Sequence, residues 1–91
     1  MQENKNKVIK NKKVREVLSL VLKELKGNKK ISEIAYESEL SRSVIYYIEK
    51  AKKDPQLTTL WRLAEGFGMK PSKFVKLIEN KMPDNWTILE E

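Results

Sequence analysis

Ninety-one residues provide for one domain with a single core and little to spare. The chain contains no cysteine and no histidine, which excludes disulfides, the usual zinc sites and histidine catalysis, and no carboxylate cluster supports another metal. Basic residues outnumber acidic ones by 19 to 13, a balance that attracts polyanions, nucleic acid before anionic membrane.

The basic excess is unevenly placed. Residues 1–30 carry ten basic and three acidic groups, whereas residues 31–50 carry two and four. Residues 1–13 are rich in Lys and Asn, with only Val8 and Ile9 as sizeable apolar side chains after the first residue. They read as a flexible basic arm. Its lysines (Lys5, Lys7, Lys10, Lys12 and Lys13) either add affinity for a polyanion or form a solvated tail. From Val14 the pattern changes. Val14, Val17, Leu18, Val21, Leu22 and Leu25 recur at three- and four-residue spacing, the mark of an amphipathic first helix. Gly27-Asn28 is its stop signal.

A second helix is expected over Ser32 to Ser38, with Ser32 as N-cap, and a third from after Ser41, a further N-cap, to about Lys50. Asp54-Pro55 breaks the chain. Leu57, Leu60, Leu63, Ala64 and Phe67 then form the stripe of a fourth helix that Gly68 ends. A fifth starts near Pro71 with Phe74, Leu77 and Ile78 apolar. The domain so outlined spans residues 14–80. Residues 81–91 form a short tail carrying Trp86, Ile88 and Leu89. The longest apolar run, Leu20-Val21-Leu22, is far too short to span a membrane, and no signal-peptide core is visible. A soluble cytoplasmic protein is the expectation.

Residues 31–50 carry the most information. Ile34 and Ala35, then Leu40, then Ile45 and Ile48, make two short helical stripes with a tight turn between them. Two helices locked in this way are the unit that places the second in the DNA major groove. Ile45 and Ile48 define the inward direction of that helix. At about 100° per residue, Ser43, Tyr47 and Lys50 then point outward, with Tyr46 beside them and Arg42 at the flank.

In register, Ile34, Ala35, Leu40, Ser41, Ile45, Ile48, Glu49, Pro55, Leu57, Leu60, Leu63, Ala64, Phe67, Gly68 and Phe74 resemble the helix-turn-helix domain of the Cro and lambda-type repressors, the XRE family. The resemblance covers residues 31–79 and implies an all-α, compact five-helix lambda-repressor-like domain. It further implies a transcriptional regulator, a repressor in particular, binding double-stranded DNA; no cofactor is expected, and a homodimer is expected because one helix reads too few base pairs to select a site. Three positions depart from the family's pattern. Ile31 stands where a phosphate-binding glutamine usually opens helix 2. Glu39 stands where the turn usually has glycine, so either strain is accepted or the turn differs. Ala51 replaces a frequent glycine after helix 3. The resemblance also implies that Glu49 pairs with a basic residue of helix 1, for which Lys26 or Lys23 could serve.

Base reading falls to Arg42, Ser43, Tyr46 and Tyr47, of which the resemblance favours Arg42, Ser43 and Tyr47. Arg42 can place two donors on guanine, Ser43 is short enough for close approach, and the tyrosines offer hydroxyls and ring edges. The tyrosines could instead pack against neighbours or form a protein-binding surface. Phosphate contacts fall to Ser32, Ser41, Lys50, Lys52 and Lys53 and to the N-terminal amides of helices 2 and 3. An enzyme is not expected, since no nucleotide-binding glycine loop or paired carboxylates appear. The alternative is a protein-interaction module such as an antitoxin or anti-repressor, to which Glu33, Glu37 and Glu39 near the outer face give some force. No small-molecule ligand or membrane association is expected. Dimerisation is expected through helix 5 and the tail, or, should the tail fold onto its own core, through helix 5 and Trp61.

Overall fold

In a computed structural model describing residues 5–89, five helices enclose one core: α1 (Lys5–Lys26), α2 (Ile31–Ser38), α3 (Arg42–Glu49), α4 (Leu57–Gly66) and α5 (Pro71–Asn80). No strand forms among the described residues. The core is made by the residues whose spacing announced it. Leu18, Val21 and Leu22 of α1 meet Ile34 and Ala35 of α2, Ile45 and Ile48 of α3, Leu63 and Ala64 of α4, and Phe74 of α5. Leu22, Ile45, Ile48, Leu63 and Phe74 have no solvent exposure at all. Leu57 departs from its expected stripe: it sits at the first position of α4 and is 69% exposed.

Turn chemistry ends the helices where the sequence indicates. Gly27 and Gly68 take positive φ, 55° and 72°, the left-handed angle that closes a helix most cheaply with glycine. Pro71 opens α5, where its missing N–H removes no hydrogen bond. The expected N-cap of α2 is corrected. Lys30 occupies that position in extended backbone without a side-chain cap, and Ser32 lies half-buried within the first turn.

The start of α1 is also corrected. Residues 5–13, read as a flexible arm, continue the helix back to Lys5, while residues 1–4 lie outside the described residues. The segment contains neither Gly nor Pro, and lysine is a good helix former. The segment makes a tertiary contact that the arm reading did not foresee: Lys10 Nζ donates to the carbonyls of Thr87 (2.7 Å) and Leu89 (3.0 Å). At the other end of α1, Lys81 Nζ donates to Glu24 Oε1 at 2.6 Å. The tail thus lies against its own α1 and α5, with Trp86 and Ile88 lining a cleft shared with Val75 and Ile78 of α5. At about 1.5 Å per residue a helix of this length spans roughly 33 Å, most of the molecule's 40 Å long axis.

Two contacts position the motif helices. Gly66, the last residue of α4, lies against α2: a Cβ built there would meet the Ser38 hydroxyl and lie 2.9 Å from Ser38 Cα. Glycine is required here by the closeness of the two helices. On the other side, α1 grips α3 at its C-terminal end. The Ser19 hydroxyl donates to the Glu49 carbonyl, and Arg15 Nε donates to the Ala51 carbonyl at 3.3 Å.

Candidate nucleic-acid interface

The α2–α3 turn is fixed by its own backbone. Glu39 takes φ 54° and ψ 43°, the left-handed conformation, so the turn keeps glycine geometry with a glutamate in it. The Leu40 amide donates to the Ala35 carbonyl at 2.9 Å and closes the end of α2. Ser41 then caps α3: its Oγ accepts from the Val44 amide at 3.2 Å, as its position before the apolar stripe foretold. After α3, Ala51 takes φ 57°, and the Lys52 amide donates to the Tyr47 carbonyl at 2.9 Å.

With Ile45 and Ile48 fully buried, α3 turns Arg42, Ser43, Tyr46, Tyr47 and Lys50 outward. Tyr46 and Tyr47 are 46% and 48% exposed, so both are open to a partner rather than absorbed into the core. Their rings meet edge to face, centroids 5.4 Å apart at 76°, and Lys50 Nζ lies 5.6 Å from the centre of the Tyr46 ring. The cation leans on a face it favours, and the three side chains hold one another in place.

The residues expected at phosphates are less uniform. Ser41 and Lys50 are exposed at the two ends of α3, and Lys52 is exposed in the loop that follows. Lys53 and Ser32 are half-buried, and the Ser41 oxygen is already engaged as a cap. That leaves Lys50 and Lys52 as the cations most open to an anion.

The carboxylates of residues 31–50 are largely matched by cations. Glu49 lies 3.7 Å from Lys26, both side chains 19% exposed, an ion pair too long for a hydrogen bond. Lys26 is thus the helix 1 partner, rather than Lys23. Glu37 lies 3.3 Å from Lys29, and Glu39 lies 3.8 Å from Arg62 of α4. The latter two pairs are exposed and weak.

The sequence reading missed Ile31 as a surface residue of this site. It lines a shallow cleft together with Arg42, Ser43, Tyr46 and Tyr47. The signal was present as an apolar residue where a polar one was expected, but its meaning depends on α2 and α3 meeting at that corner. Among the described residues no group of side chains could hold a metal ion, and no helix is long and apolar enough to cross a membrane.

A family model described as helix-turn-helix matches residues 22–74, well over half of the chain. The matched span starts at Leu22 of α1 and ends at Phe74 of α5, so it contains the whole of α2, α3 and α4. Neither curated proteins nor solved structures gave a match.

Proposed function

Because the chain belongs to the XRE-type helix-turn-helix family of DNA-binding regulators, we propose that it binds double-stranded DNA sequence-specifically and represses transcription with α3 in the major groove. The observation that carries this reading is the division of α3. One side is locked into the core by Ile45 and Ile48, and the other presents a guanidinium, a short hydroxyl and two half-exposed phenols. Such a face combines the donors and apolar edges that the major groove calls for. Arg42, Ser43, Tyr46 and Tyr47 read bases. Ser41, Lys50, Lys52 and Lys53 meet phosphates, with Ser32 and the first amides of α2 alongside. The protein acts as a homodimer on a pseudo-palindromic site, in the cytoplasm, without a small-molecule ligand.

The test is duplex selection from a random pool, followed by binding of Arg42→Ala to the selected site and to random DNA. A loss of about 1–3 kcal/mol on the selected site and little on random DNA is expected. Equal loss on both would reduce Arg42 to a phosphate contact. The second reading, a protein-interaction module, draws on Leu57 and Trp61, both exposed on the outer side of α4. It is favoured if binding to mixed duplex DNA is absent or insensitive to salt.

A further inference from the structure

The outward face of the motif contains an apolar recess. Ile31, Arg42, Ser43, Tyr46 and Tyr47 line a single open cleft, and no carboxylate lines it. Ile31 is half-buried and packed against the core, so its side chain is held from beneath. The tyrosines of its lining form an edge-to-face pair against which Lys50 rests. The recess is therefore mostly apolar, with a guanidinium and a hydroxyl among its lining groups. On the floor of the major groove of unmodified DNA, the one apolar group that projects is the C5-methyl of thymine.

We propose that this cleft is a thymine-methyl subsite. Ile31 is its specificity-determining residue, the Tyr47 ring a second lining group, and the half-site carries a thymine beside the base pair that Arg42 engages. The proposal rests on the reading of α3 as the DNA-reading helix and adds to it a base identity and a residue of α2. It also gives a consequence to the glutamine-to-isoleucine departure at position 31: a position suited to phosphate becomes one suited to a base methyl. A guanidinium beside an apolar recess with no acid in its lining matches a polyanion carrying methyl groups better than the apolar side chain of a protein partner.

The experiment uses the full chain and the duplex selected from a random pool. Each thymine of one half-site is replaced in turn by deoxyuridine, which removes only the methyl, and binding is measured by fluorescence anisotropy. One position is expected to lose about four-fold in affinity, the weight of one buried methyl group. Ile31→Gln should bind the thymine and deoxyuridine duplexes equally, while Ile31→Leu should keep most of the difference. Circular dichroism and thermal unfolding of both variants check that they are folded, and the ratio of two affinities cancels any general loss of active protein. Specific binding with no sensitive thymine overturns the subsite and leaves the DNA reading intact. Unchanged methyl sensitivity in Ile31→Gln assigns the methyl to another residue and overturns the role of Ile31. Failure to select any duplex overturns the DNA reading and the subsite together.

Discussion

Glu39 and Ala51 hold φ of 54° and 57° at the C-terminal ends of the two motif helices, where a Cβ costs about 1–2 kcal/mol. Glycine would remove that strain while loosening the unfolded chain by a smaller amount. Glu39→Gly should therefore stabilise the protein by roughly 0.5–1 kcal/mol, the exposed Arg62 pair being worth little. Urea unfolding measures it, and a lower midpoint would mean that the turn depends on the Glu39 side chain. Gly66 makes the opposite case. Its missing Cβ leaves room for Ser38, so Gly66→Ala should cost about 1–3 kcal/mol by overpacking. Adding Ser38→Gly should recover part of the loss; no recovery would place the strain elsewhere. Glu39 and Ala51 were legible as departures from a pattern. Gly66 was not, because its requirement arises only when α2 and α4 approach, and no local spacing encodes that.

The helices differ in how openly the sequence declares them. The core half of α1, and both faces of α3, follow from the period of their apolar residues, because each buries one stripe and exposes the rest. The N-terminal half of α1 has no such stripe. Its lysines and asparagines resemble a solvated arm, and its one described contact with the tail, Lys10 with the carbonyls of Thr87 and Leu89, lies far away in sequence. The Ser32 cap failed for a related reason: Ile31 packs against the core, which draws the start of α2 back to Lys30. A chain ending at Met82 should thus lose hydrogen-exchange protection at the amides of residues 8–13 and keep it at Val21 and Leu22. Equal protection in both chains would show that residues 5–13 hold their helix unaided.

At the scale of the molecule, the proposed DNA reading carries a demand on stoichiometry. A recognition helix of eight residues reaches only a few base pairs, whereas a two-fold pair reads two half-sites about 10–10.5 base pairs apart, one turn of the duplex. The tail, one expected contact, is occupied with its own chain through Lys10 and the cleft beside α5. That directs attention to α5 and to Trp61. Val75, 46% exposed, is the large apolar side chain that α5 presents to solvent. Trp61 stands apart on the outer side of α4 with Leu57. An interface through α5 would bury Val75, and a charge placed there should break it without entering the core. Val75→Glu is therefore expected to sediment as a monomer, unfold at the wild-type temperature, and lose affinity for a full site while binding a half-site as the wild type does. Trp61→Glu should leave the mass unchanged. Should Trp61→Glu dissociate the protein and Val75→Glu not, the pairing surface lies on α4 and the half-sites would be set by a different two-fold axis.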